Sequence, residues 1–272
     1  MADKDFTKYK FNVLRSPKDL RDLKAKSIYK LIELPEELDY RVDMLPVRDQ
    51  GNQGSCAAMS GSAIKEWQES KDAGIYEYFS PQFIYNNRST DGEGMYMRDL
   101  MNILRKLGDC RENTFPYGTS SSPSEKAYKE ALLYIIRNYA AVETIAELKT
   151  ALYVNGPCVI AVPVYNFTTR MWKERSGDVF LGGHAMSVVG YNKDGFIIRN
   201  SWGHNWGSDG HCIMPYEDFN LAWEFWTTID EDSYNPNPPD PTPDEKTWME
   251  KYWFIILVAA LVAGIVLVAV LT

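Results

Sequence analysis

The chain has 272 residues, which suits one large domain or two lobes sharing an interface around a substantial core. Its formal charge of -8 and the lack of any Lys/Arg cluster exclude nucleic acid as a partner, because phosphate neutralisation needs a basic face. The cysteines at 56, 110, 158 and 212 form no C-x-x-C pair and no His/Cys ligand spacing, so no structural zinc, and no metal or organic cofactor, is expected.

The amino terminus, Met1-Ala2-Asp3-Lys4-Asp5-Phe6, has no apolar h-region, so a secretory signal peptide is not expected. Residues 1–37 read as a polar, exposed lead-in in which lysines alternate with acids. The folded body is then expected over 38–232. Within it, Gln50-Gly51-Asn52-Gln53-Gly54-Ser55-Cys56 is a glycine-punctuated loop running into a helix. Ala57, Met59, Ala63, Ile64 and Trp67 recur at helical spacing, with Lys65, Glu66, Gln68 and Glu69 on the other side, and Gly74 ends the helix. Ser80-Pro81-Gln82 predicts an N-cap with proline at the first helical position, and a third helix over 97–107 stops at Gly108.

After Asn113-Thr114-Phe115-Pro116-Tyr117-Gly118 the pattern predicts helices over 124–137 and 146–155. Strand-like runs follow at 158–164, 185–191, 195–200, 210–215 and 224–229, with Asn192-Lys193-Asp194-Gly195 as a hairpin turn. A helical first half and an antiparallel second half predict an α+β fold of two facing lobes.

Residues 233–247 form a proline-rich stalk, extended and semi-rigid. Residues 248–272 are read as a transmembrane anchor. Their last part, WFIILVAALVAGIVLVAVLT over 253–272, carries no charge and matches the ~20 apolar residues that span a bilayer core. Lys246 and Lys251 precede it and no charge follows, so a single-pass anchor with the large domain on the cytosolic side is expected, and the lipid bilayer is an expected partner. On that side the sequons Asn87-Arg88-Ser89 and Asn166-Phe167-Thr168 stay unmodified.

Cys56 stands where the loop becomes a helix, in the positive end of the helix dipole, which favours thiolate and makes it the candidate nucleophile. That leaves three cysteines, an odd number for a disulfide framework. A reducing compartment is therefore favoured, with Cys110, Cys158 and Cys212 as small buried hydrophobes. A nucleophile needs a base, an orienter for the base and oxyanion donors. Gly182-Gly183-His184-Ala185 and Asn200-Ser201-Trp202-Gly203-His204-Asn205-Trp206-Gly207 contain the candidates. Any one of these motifs alone carries little; their joint occurrence in this order is far more specific. His204 and His211 are expected at the surface.

The ordered set resembles the papain-like cysteine peptidases (peptidase C1) over about residues 16–230. The resemblance implies a two-lobed fold, with a helical lobe and an antiparallel β lobe facing each other across the active-site cleft. It implies that Cys56 and His184 form a thiolate–imidazolium pair, that Asn200 orients the imidazole, and that Gln50 donates to the oxyanion beside the Cys56 backbone N–H. Trp202 would cover the His–Asn contact and exclude water. Gly94, Met95, Tyr96 and Met97 would line the cleft before the scissile bond, Tyr96, Met97, Ala161 and Gly182 would shape an apolar second subsite, and Gly183, Trp202 and Trp206 complete the expected substrate-binding set.

The activity implied is peptide-bond hydrolysis through an acyl-enzyme, acting on a peptide or protein. A catalytically silent binding module is the alternative that the intact quartet argues against. A Cys–His acyl transferase is another, although transglutaminases use Asp as orienter. Gln53 stands where secreted relatives carry a cysteine and Ala57 where most carry tryptophan, a pattern like that of bacterial and large-DNA-virus (iridovirus-like) members. No long inhibitory propeptide is expected, which leaves residues 1–37 at most as a cover for the cleft.

Overall fold

The computed structural model describes residues 6–29 and 32–230. The stalk and anchor expected over 233–272 lie outside the described residues, among which no helix is long and apolar enough to cross a membrane.

Two short strands, β1 (Val13–Leu14) and β2 (Leu38–Asp39), precede the central helix α1 (Cys56–Asp72). Small residues let neighbours approach α1 closely: a Cβ added to Gly61 would lie 2.4 Å from Leu100. Helix α2 (Pro81–Asn86) begins as predicted, with the Ser80 hydroxyl accepting the Phe83 N–H at 3.0 Å. Strand β3 (Met95–Tyr96) leads into α3 (Met97–Lys106).

The helix predicted over 124–137 is shorter. Helix α4 (Glu125–Ala131) tightens into a 3-10 turn and gives way to β4 (Asn138–Val142). Tertiary pairing overrides the local pattern here: the Ile136 N–H donates to Leu104 O of α3, and the Arg137 N–H to Ile229 O. Helix α5 (Ile145–Asn155) follows, capped by Thr144.

The strands β5 (Cys158–Val164), β6 (Gly182–Asn192), β7 (Gly195–Arg199), β8 (His211–Pro215) and β9 (Glu224–Ile229) complete an antiparallel sheet in the order β4-β9-β5-β6-β7-β8, with β2 pairing on β6. The architecture is α+β, as predicted. Strand β6 begins three residues earlier than its apolar run suggests, because Gly182 and Gly183 continue the ladder opposite Val164 and Pro163.

Three expectations are corrected. Helix α1 has almost no solvent face, and Lys65, Glu66, Gln68 and Glu69, expected outside, are all buried. They tolerate burial because each is paired: Lys65 with Glu69 and Asp230, Glu66 with Arg48, and Gln68 with Thr228. The lead-in is also part of the fold. Tyr9, Val13 and Ala25 are buried, the Ala141 N–H donates to Leu23 O, and Asp22 pairs with Arg98 at 2.6 Å. His204 is exposed as expected, but His211 on β8 is buried, with Nδ1 2.7 Å from Asp209 O, and burial lowers its pKa to about 4.

Lys65 is completely buried between two carboxylates, so Lys65→Ala leaves them without their cation. The expected cost is about 3 kcal/mol, read as a lowered denaturation midpoint at unchanged slope.

Candidate active site

Strands β6 and β7 pair antiparallel with Ser187 opposite Arg199, which brings His184 and the residue after β7, Asn200, to the same end of the sheet. His184 Nε2 lies 2.7 Å from Asn200 Oδ1, which also accepts the Ser201 backbone N–H at 2.8 Å. An amide oxygen only accepts, so this arrangement assigns the ring proton to Nε2. The other ring nitrogen, Nδ1, is buried without a hydrogen-bond partner. Trp202 covers the contact with its ring 4.9 Å from the imidazole, and Trp206 abuts Trp202 edge-on at 5.6 Å.

Cys56 opens α1 and shares an apolar cluster with Ala185, the residue after His184, and with Ala161 facing it on β5. Burial pushes the thiol up to about 11, although backbone amides of Ala185, Ala57 and Asn12 pull it down. Burial likewise lowers His184 to about 4, against the pull of Asn200. In the covered cleft burial therefore works against the thiolate and the imidazolium alike. Removing water from both penalises both charged forms.

The loop before Cys56 is held from several sides. The Gln50 N–H donates to Ser201 O at 2.8 Å, and Gln50 Oε1 accepts from Ser201 Oγ at 2.7 Å. One Nε2 hydrogen goes to Gln53 O at 2.9 Å, which leaves the other available. The Tyr117 hydroxyl donates to Gln50 O at 2.8 Å and lies 2.5 Å from Ser55 Oγ. Tyr117 thus ties together the residue that bears the side-chain amide and the residue just before Cys56.

Residues 6–14 fill the cleft. Phe6 and Tyr9 both stack on Trp202 and on each other, Tyr9 at 4.7 Å and 6° from parallel with Trp202. Phe11 packs against His184, and Asn12 lies at Cys56 and bridges to Gly183. The Met95 N–H donates to Asn12 O at 3.0 Å, and β1 pairs with β3 in parallel. Val13 is buried among Met95, Ala161 and Ala185, with Trp223 packed against them. Lys8 pairs with Asp49 on one rim, and Lys10 with Glu93 on the other.

Of the residues predicted to line the cleft, Met95, Ala161, Gly182 and Gly183 all meet this segment. Met95 rather than Gly94 supplies the backbone donor; Gly94 keeps the wall close, since an added Cβ would meet Leu14 at 3.0 Å. Tyr96 is half-buried beside Leu14, and Met97 turns into the core. Sequence reasoning missed the roles of Tyr117, the Ser201 hydroxyl and Trp223. It allowed residues 1–37 as a cover for the cleft without picking out 6–14, although Tyr9, Phe11 and Val13 alternate with polar residues, the period of a strand.

The family model for papain family cysteine proteases matches residues 34–222. A peptidase C1-like protein of Acanthamoeba polyphaga mimivirus is 28% identical over 251 residues, 79% of this chain and 78% of its own length. Cysteine proteinase 3 of Entamoeba histolytica is 28% identical over 204 residues, covering 69% of this chain and 65% of that protein. The crystal structure of xylellain, a cysteine protease from Xylella fastidiosa, superposes with a TM-score of 0.73 at 31% identity, over 85% of this chain and all of that one. The chain belongs to the papain family of cysteine proteases and is a cysteine-type peptidase.

Proposed function

We propose that Cys56, His184, Asn200 and Gln50 hydrolyse peptide bonds once residues 6–14 leave the cleft. The observation that carries this reading is the imidazole held by Asn200 through Nε2, its Nδ1 unpartnered, on a strand whose next residue turns its N–H to the Cys56 sulfur. In the open cleft the Cys56 proton passes to Nδ1 and the thiolate attacks the substrate carbonyl carbon. The oxyanion accepts from the free Gln50 Nε2–H and the Cys56 N–H. The imidazolium returns its proton to the leaving amine as the C–N bond breaks, leaving a thioester. Water, deprotonated by Nδ1, attacks the thioester; the acid product departs and the thiol re-forms.

Because His184 protonates the amine, the departing half of the substrate lies along the imidazole and Trp202, and the acyl half along Met95. The covering segment runs the other way, from Phe6 at Trp202 to Val13 at Met95. Its backbone polarity is therefore reversed relative to a substrate, which disfavours its own cleavage. The chain as described is a latent peptidase.

We also propose that residues 253–272 anchor the peptidase in a host or virion membrane, with 233–247 as a stalk and the domain on the cytosolic side. The uncharged run and the lysines at 246 and 251 support this, and the mimivirus relative supports a large-DNA-virus setting.

Cys56→Ala is expected to abolish both peptide cleavage and labelling by an epoxide probe. Gln50→Ala lowers kcat about 100-fold while alkylation of Cys56 persists, since alkylation forms no oxyanion. Tyr117→Phe gives a smaller kcat loss with the same persistence. An unchanged kcat in Gln50→Ala would remove the oxyanion assignment.

Acidification should open the cleft. His184 in the covered state sits at about 4, below its ordinary 6.5, so that state binds fewer protons and loses ground as pH falls from 6.5 towards 4. Lys10 holds the Glu93 carboxylate below its usual range, so the rim pair adds to this opening only once pH falls below the ordinary carboxylate value. Hydrogen exchange of the amides of residues 11–14 is expected to accelerate across that window, and in His184→Ala the acceleration should vanish. For the anchor, the full chain should float with phospholipid vesicles, whereas a chain ending at 247 should stay in the soluble fraction.

A further inference from the structure

We infer that the cleft takes an aromatic side chain on the residue directly after the scissile bond, in a box walled by Phe167 and Trp202. The substrate half of this inference rests on the peptidase reading above. The box is seen occupied by the chain's own Phe11. The Phe11 ring lies 5.7 Å from Phe167, 5.8 Å from Trp202 and 6.0 Å from the imidazole of His184, meeting the last edge-to-face at 88°. These are the separations at which aromatic pairs attract beyond simple area burial. The backbone beneath the ring is equally close: Gly182 has φ +140, and a Cβ there would lie 2.3 Å from Phe11 O.

The position follows from the chemistry. Asn12 lies at the sulfur, and Phe11 is its neighbour on the imidazole side, whereas Val13 is its neighbour on the Met95 side. The leaving amine must depart on the imidazole side to collect its proton. In a bound substrate, whatever its backbone direction, the side chain nearest the sulfur on that side is therefore the first residue of the departing half. Once Phe11 withdraws, the half-buried Phe167 and the face of Trp202 are left open to solvent, and an aromatic ring restores their contacts. A small polar residue makes few of those contacts, and a charged one gives up hydration against rings that offer it no hydrogen bond.

Two measurements on the full chain in detergent separate this inference from the peptidase reading. The first needs no turnover: the iodoacetamide rate at Cys56 is followed at fixed pH in Phe11→Tyr, Phe11→Leu and Phe11→Ser. Tyrosine should keep the thiol protected as in the parent, serine should raise the rate about tenfold, and leucine should fall between them. Equal rates for tyrosine and serine overturn the box.

The second compares kcat/KM in Phe11→Ser for two quenched-fluorescence peptides that differ only in the residue after the scissile bond, phenylalanine or serine. Phenylalanine is expected to be preferred about tenfold. Adding Phe167→Ala should collapse that ratio towards unity while cleavage of the serine peptide continues. A ratio of unity at the outset, or one that survives Phe167→Ala, overturns the inference. Protection ordered as expected with neither peptide cut overturns the peptidase reading and the substrate half with it, and leaves the selectivity of the box for aromatic rings intact.

Discussion

The constraint on which the site depends is the burial of α1 on nearly every side. A helix without a solvent face must find internal partners for each polar group it carries, and two of those partners come from the segments that hold the other functional residues. Glu66 takes Arg48, two residues before Gln50; the Ser60 carbonyl accepts from Ser187, three residues after His184; Ser62 donates to Asp109 at 2.6 Å. A small pocket lined by Arg48, Glu66, Arg199 and Asn200 lies where these segments meet. The N-terminus of α1, and Cys56 with it, is thereby set against the Gln50 loop and the β6–β7 end by interactions well removed from the reacting atoms. Burial raises Glu66 to about 7 at this junction, against the pull of Arg48 and Arg199.

Burial also bears on the protonation of the site. Phe6, Tyr9 and Phe11 pack over Trp202 and His184, and desolvation works against both the thiolate and the imidazolium, with backbone amides pulling the thiol the other way. The aromatic cover and the charged pair therefore oppose one another in this cleft.

Much of this was legible in the residues. The loop-to-helix thiol, the glycines before His184 and the Asn-Ser-Trp-Gly turn specify chemistry through short local patterns, and β5 and β7 are short, largely apolar runs. The illegible parts depend on distant partners. Lys65 and Glu66 look solvent-facing until Asp230 and Arg48 are placed beside them. The helical pattern over 132–137 gives way where Ile136 and Arg137 bond to Leu104 and Ile229, and β4 just beyond pairs with β9. Tyr117 sits in a turn whose sequence signals nothing about Gln50, 67 residues away. Residues 6–14 are polar enough on average to hide an apolar alternation, and average polarity is the wrong quantity for a segment that buries one side only.

The hold of that segment is unevenly distributed, and this bears on how a latent form can be released. Against β3 it forms only a two-residue ladder, and its rim lysines are exposed, where ion pairs contribute little. The larger contacts are the rings over Trp202 and Val13 in the apolar pocket, both of which a substrate would also seek. Competition between cover and substrate is therefore fought chiefly through side chains, since the reversed backbone cannot reproduce a substrate's full set of main-chain bonds. Tyr9 and Phe6, which stack beyond the imidazole, can then strengthen or weaken the cover without touching Cys56, Gln50 or Asn200. Latency and catalytic power are separable in this fold because the rings that set the first lie outside the groups that supply the second.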